Sequence, residues 1–228
     1  MRGAVALVST ANGYPPLDVR RLGRRGYEET LALQEEARAR VIAGAPEQLI
    51  LVEHPPVITL GRRGDARHVL VPRAPVVRVS RGGDVTYHGP GQLVGYPILD
   101  LGRRGRDVDR YLRALEDVLI AVAGRFGVVA RRQRGWTGVW VGNAKLAAIG
   151  VGIRRWVTIH GFALNVADLR TEFSAIVPCG LAGIGVTSLA QATGQCPVLT
   201  VVEAMVIDEF LRIFAPVATT DVRESAAS

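Results

Sequence analysis

The sequence predicts an α+β chain whose sheet is largely antiparallel. Short β-rich runs crowd two stretches, 48–99 and 138–166, and Pro- or Gly-containing turns separate them. Amphipathic helical segments lie before, between and after these stretches, a distribution that suits helices packed on a mixed sheet. With 228 residues, the chain is long enough to bury one full core without staples.

The first helix is expected over residues 27–43, where Tyr27, Leu31, Ala37 and Val41 recur near helical spacing with charges between them. Strands are expected at 48–52 and 57–60, split by His54-Pro55-Pro56, which no helix tolerates. Further strands are expected at 76–79, 85–87 and 92–99, the last two flanking the turn His88-Gly89-Pro90-Gly91. Asp107 can cap a long helix over 108–126, whose apolar stripe is Val108, Tyr111, Leu112, Leu115, Leu119, Val122 and Phe126. Residues 138–141, 146–153 and 156–166 read as an antiparallel meander. Thr200 followed by Glu203 reads as a capping box that opens the last helix. Residues 1–17 are expected to be a loose extension, 18–215 a single domain, and 216–228 a frayed tail.

Composition narrows the function. No apolar run approaches the roughly 20 residues that span a bilayer, and Val5 to Val8 is too short for a signal-peptide core, so the expectation is a cytoplasmic protein with no membrane partner. The net charge of +7 suggests an acidic partner, for which nucleic acid, an acidic carrier protein and anionic lipid all qualify. The arginines come as scattered pairs, a pattern closer to a solvated surface than to a nucleic-acid stripe. Cys179 and Cys196 are the two cysteines, each either a small buried hydrophobe or a reactive thiol. Four histidines and two cysteines without close ligand spacing argue against a metal site.

Of the 28 basic residues, Lys145 alone is lysine. In so biased a chain a surviving lysine is either chance or a group doing what guanidinium cannot, namely losing its proton.

Four segments carry the chemistry. Arg81-Gly82-Gly83-Asp84-Val85-Thr86-Tyr87-His88 leads into Gly89 and Gly91, where backbone N–H groups can approach a ligand closely or merely turn the chain. It forms neither a P-loop nor a dinucleotide fingerprint. His88 is either a general acid/base or a turn residue. Lys145 opens a strand of small residues, Ala148-Ile149-Gly150 among them, and these apolar neighbours would desolvate its ammonium. His160-Gly161-Phe162-Ala163 fits either the wall of an apolar tunnel or a plain buried strand. Pro178-Cys179-Gly180 suits a thiol held at the tip of a turn, whereas Cys196 has no comparable apolar approach.

Together these segments resemble the lipoyl(octanoyl) transferase family. The matching pieces come in the family's order: Glu53-His54-Pro55-Pro56-Val57 with Thr59 and Gly61, RGGDVTYHGPGQLVGYPI from Arg81, KLAAIGV from Lys145, HGFALNV from His160, the Pro178-Cys179-Gly180 turn, and Val186-Thr187-Ser188-Leu189. The resemblance implies a biotin/lipoate protein ligase-like fold. It also implies transfer of octanoyl from octanoyl-acyl carrier protein to a lysine of a lipoyl domain. Such acceptor domains belong to the 2-oxoacid dehydrogenase complexes and to the glycine cleavage H protein.

Carried over residue by residue, the resemblance puts the nucleophile on Cys179 and its activating lysine on Lys145. Acyl-pocket contacts fall on Arg81 to His88, Ala148 to Gly150 and Gly161 to Ala163, with His160 in support. No cofactor or metal is expected, because the thioester donor already carries the activation. Rival readings are an ATP-dependent lipoate or biotin ligase of the same fold, a cysteine-based octanoyltransferase serving another acceptor, and a basic nucleic-acid binder.

Overall fold

The computed structural model describes residues 5–8, 17–178 and 185–214, with the backbone alone for the first of these. In chain order the elements are β1 (Val5–Val8), β2 (Leu17–Arg24), α1 (Tyr27–Ile42), β3 (Glu47–Glu53) and β4 (Val57–Leu60). A short 3-10 turn, Ala66–His68, precedes β5 (Val76–Arg78), β6 (Val85–His88) and β7 (Gln92–Ile98). Next come α2 (Val108–Arg125), β8 (Arg131–Gln133), β9 (Trp136–Val141), β10 (Ala144–Arg154) and β11 (Val157–Asn165). The chain closes with α3 (Arg170–Phe173), β12 (Gly185–Val186), α4 (Leu189–Thr193) and α5 (Leu199–Phe214).

The main sheet has nine strands in the order β1-β2-β3-β7-β11-β10-β9-β8, with β12 added parallel to β10. Apart from that pairing and the parallel β2–β3 pair, its neighbours run antiparallel. The meander expected at 138–166 is β9-β10-β11. A second sheet of three strands, β5-β4-β6, stands apart from it.

Side-chain alternation along the strands builds a core on each face. Leu49 and Leu51 of β3, Leu93 of β7, and Phe162 and Leu164 of β11 join α2 and α5 in one cluster. Ile50 and Val52, Val94 and Tyr96, and Ala163 point the other way, where Ala37 and Val41 of α1 cover them. Both faces are therefore covered along β3 and β11, so all of β11 and all of β3 but Glu53 is buried.

Several local expectations change. The buried face of α1 is Tyr27, Thr30, Gln34, Ala37 and Val41, so two polar residues stand where Leu31 was expected to lead. Thr30 satisfies its hydroxyl on the Gly26 carbonyl (2.8 Å). The last helix starts at Leu199, one residue before the expected cap, because the Val198 carbonyl accepts the N–H groups of Val201 and Val202. Thr200 thus sits inside the first turn, and Glu203 faces Arg21 across 3.7 Å. Within the span read as a loose extension, Val5–Val8 pairs with β2 as an edge strand, and Leu17 is already fully buried. Asp107 does cap α2, accepting the Arg110 N–H at 2.8 Å.

No helix among the described residues is long and apolar enough to cross a membrane, and none of their His, Cys, Asp or Glu side chains group as metal ligands.

Candidate active site

The site lies where the two sheets meet, beside the N-terminal end of α1. Its first part is a narrow, mainly apolar cavity. Ala148, Ile149 and Gly150 of β10, His160 to Ala163 of β11, and Val94 and Tyr96 of β7 form one side. Arg81 to Thr86, His88 and Tyr27 close the other. The second part is a broad polar groove bordered by Lys145, Arg62, Arg63, Leu112 and Gly135 to Thr137. Gly82, Gly83, Asp84, Ala148, Ile149 and Gly150 line both, so they mark the passage between them.

Arg81 organises the cavity's outer wall. It is 8% exposed, and its guanidinium donates to the Thr59 hydroxyl (2.9 Å from Nη2), the Thr59 carbonyl (2.7 Å) and the Gly82 carbonyl (3.0 Å). Those bonds fasten the glycine turn to β4. A side chain at Gly61 would place its Cβ 2.4 Å from the Gly83 carbonyl, so glycine there is a requirement of close approach. Asp84 accepts the Asp65 N–H (3.0 Å) and pairs with His68 Nδ1 (2.6 Å).

An aromatic cluster stands at the end away from the groove. His54 Nδ1 donates to the Arg25 carbonyl (2.8 Å), so its Nε2 accepts the Tyr96 hydroxyl (2.8 Å). Tyr27 stacks against His88 at 6.1 Å between centroids and tilts over His54 at 5.2 Å. His88 Nδ1 donates to Gln92 Oε1 (2.7 Å), whose amide nitrogen donates to Asn165 Oδ1 (2.8 Å). Burial pushes the pKa of His88 down to about 3, with the nearby His54 adding to the effect. Burial likewise raises Tyr27 to about 12 and holds Tyr96 well above the usual phenol range. At neutral pH this end of the cavity is uncharged.

His160 sits in left-handed backbone (φ 60°), which is uncommon outside glycine. Gln34 of α1 accepts its N–H at 3.0 Å, and its Nε2 meets the Ser80 hydroxyl at 2.9 Å. Burial first, then the Arg81 charge, pushes its pKa down to about 4.

Lys145 is the second residue of β10 and 8% exposed. Its ammonium lies 4.8 Å from the centre of the Trp140 ring, its cross-strand partner, in cation–π geometry. On its other side β12 pairs Val186 with Lys145, and the Thr187 N–H donates to the Lys145 carbonyl (3.0 Å).

Of the residues expected to contact an acyl group, Arg81 to Thr86, His88, Ala148 to Gly150 and Gly161 to Ala163 all border the one cavity. Tyr87 does not. Alternation along β6 turns its ring away, edge-on to Phe173 and into a third cluster with Leu169 and Ile176. Phe162 borders the cavity while its ring packs with α2 and α5 on the other face. His160, named as a supporting residue, lines the cavity as well.

Cys179 lies outside the described residues, as does Gly180. The chain reaches that segment from Ile176 and Val177, which bond to Val69 and to the His68 carbonyl, and leaves it at Gly185, opposite Ala144. Cys196 is exposed in the turn between α4 and α5 and borders neither cavity nor groove. Sequence reasoning missed Tyr27, Val94, Tyr96 and the His54 behind them. The available signal was the 27/30/34/37/41 spacing in α1, which puts Tyr27 on the buried face.

Residues 26–211 match the family model of the lipoyl protein ligase A/B catalytic domain. An octanoyltransferase of Geobacter metallireducens is 57% identical over 178 residues, covering 78% of this chain and 84% of that protein. One of Syntrophotalea carbinolica is 52% identical over 206 residues, covering 89% and 98%. Among solved structures, a bi-partite lipoate protein ligase of Thermoplasma acidophilum superposes with a TM-score of 0.65 at 17% identity, covering 86% of this chain and 82% of that one. That likeness shows the expected ligase-like fold.

Proposed function

The chain belongs to the lipoyl(octanoyl) transferase family, and from that premise we propose that it moves octanoyl from octanoyl-acyl carrier protein, through a Cys179 thioester, to a lysine of a lipoyl domain. One observation supports this reading above the rest: a mainly apolar cavity shares its Gly82–Asp84 and Ala148–Gly150 lining with the groove that holds the chain's single lysine. The apolar lining suits an acyl tail, and a thioester carbonyl would then lie at the shared lining beside Lys145.

Thioester-to-amide transfer between two large partners is easier in two steps than with both docked together. In the first, the Cys179 thiolate attacks the donor carbonyl, the carrier's C–S bond breaks, and the carrier leaves as a thiol. In the second, the acceptor amine attacks the acyl-cysteine, an amide forms as the acyl–sulfur bond breaks, and Cys179 leaves as the thiolate. Lys145 serves both. Its ammonium favours the thiolate and protonates the departing carrier sulfur. Neutral after that transfer, it accepts the proton of the incoming amine. The pairing of Gly185 and Val186, six and seven residues after Cys179, with Ala144 and Lys145 supports this partnership.

Residues 18–215 are the catalytic unit of this proposal, and the reaction needs neither ATP nor metal. The acceptors are the lipoyl domains of 2-oxoacid dehydrogenase complexes and the glycine cleavage H protein, met in the cytoplasm.

The test combines octanoyl-carrier protein and an apo lipoyl domain, with and without ATP, and follows products by mass spectrometry. Expected are octanoyl transfer without ATP, an octanoyl adduct on Cys179, and near-complete loss of transfer in Cys179→Ser and Lys145→Arg. An adduct on Cys196, or full activity of Cys179→Ser, would sink the assignment. Strict ATP dependence would instead favour a lipoate-ligase reading, which the matched lipoyl protein ligase A/B family model also spans.

A further inference from the structure

The floor of the apolar cavity changes character from strand to strand. On β10 and β11 the side chains facing it are small: Ala148 pairs with Ala163, and Gly150 with Gly161. On β7 they become large, since Ala163 pairs with Val94 and Tyr96 stands two residues along the same face. Beyond them β3 continues with Val52 opposite Val94 and Ile50 opposite Tyr96, both fully buried. The open floor therefore spans two inter-strand spacings, about 10 Å, close to the length of an extended eight-carbon chain.

The step is rigid. Tyr96 is 3% exposed, and its hydroxyl is tied to His54, which is itself tied to the Arg25 carbonyl. Tyr27 and His88 stack on each other, and both rings pack against the same His54. The small end cannot be crowded either: a Cβ on Gly161 would come within 2.2 Å of the Gly95 carbonyl. The direction of entry follows from the lining. Residues shared with the Lys145 groove all lie on β10 and the Gly82–Asp84 turn, whereas Tyr27, His88, Val94 and Tyr96 line the cavity alone.

We propose that Tyr96, braced by His54 and seconded by Val94, is the stop that sets acyl-chain length, so that an acyl group entering past Gly82 and Gly150 is admitted to about eight carbons. This rests on the acyl-transfer reading above and adds what limits its substrate. The terminal methyl of an octanoyl chain meets the Tyr96 ring, and a longer chain must bend back toward the carbonyl or displace a bonded ring.

The experiment measures kcat/KM for hexanoyl, octanoyl, decanoyl and dodecanoyl carrier protein, with calorimetric binding of the free fatty acids alongside. Tyr96→Ala should raise the decanoyl-to-octanoyl ratio about tenfold, the worth of two newly buried methylenes. Tyr96→Phe, which keeps the ring but cuts its tie to His54, should shift the profile less than Tyr96→Ala. Ala163→Val should act in the opposite sense, favouring hexanoyl over octanoyl by a similar factor. Val94→Ala gives the same direction as Tyr96→Ala should that variant fail to fold. Transfer with an unchanged length profile in Tyr96→Ala, Ala163→Val and Val94→Ala overturns the proposal, as does failure of every fatty acid to bind. Length-selective fatty-acid binding that shifts as described, without transfer from any donor, leaves the stop standing and removes the acyl-transfer reading.

Discussion

Three histidines, His54, His88 and His160, are buried and uncharged around the cavity. Burial lowers each of them from the ordinary 6.5, His160 to about 4 and His88 to about 3. As pH falls below 6.5 the unfolded chain takes up these protons before the folded one does. Their contribution to stability is thus complete above about pH 6.5 and is lost as pH falls from there toward the folded values. Each histidine adds up to about 1.4 kcal/mol per pH unit within that window. Urea unfolding at pH 7, 6 and 5 should show a steep fall, and His88→Gln should flatten it. A wild-type curve unchanged from pH 7 to 5 would refute the point. The same residues show where sequence reading stops. Nothing local to His160 reveals that Gln34, 126 positions away, supplies the partner of its backbone N–H.

Helix α2 carries the clearest element-scale test. Glu116 is fully buried, pairs with Arg113 (2.6 Å) and Arg132 (2.8 Å), and accepts the Gly138 N–H (3.0 Å). It thereby ties α2 to β8 and β9, the strand beside Lys145. Glu116→Ala would leave that N–H without its acceptor and both guanidinium groups without this carboxylate. A loss of about 3 kcal/mol is expected in denaturant unfolding, and a loss under about 1 kcal/mol would contradict it. The apolar stripe of α2 was readable from its period, yet Glu116 sits on its buried face and Leu112 looks into the groove. Periodicity locates a face and does not say which polar residue will find partners there. Strand β2 escaped notice for a related reason: Leu17 and Val19 are its buried residues, and the arginines after them hide the alternation. The glycine and histidine segments were legible because close backbone approach admits few residue types. Tyr27, Tyr96 and His54 were not, since three separate elements bring them together.

For the molecule as a whole, two cores share one sheet, and the cavity lies on the α1 face at the junction with the smaller sheet. Arg104 closes the far side, bonding the buried Glu47 and the Phe214 carbonyl (2.8 Å), and so pins the end of α5 against β3. A net charge of +7 should draw an acidic carrier by long-range attraction. Its Kd is expected to rise roughly tenfold between about 50 and about 300 mM salt, measured by calorimetry; an affinity indifferent to salt would count against an electrostatic encounter. The solitary lysine has one more consequence. Amine-directed reagents, which scatter over most protein surfaces, find here only the terminal amine and one ammonium screened by the Trp140 ring. A label mapped to a lysine therefore reports on Lys145 alone, and its rate of appearance becomes a direct readout of how open the groove is when a partner docks.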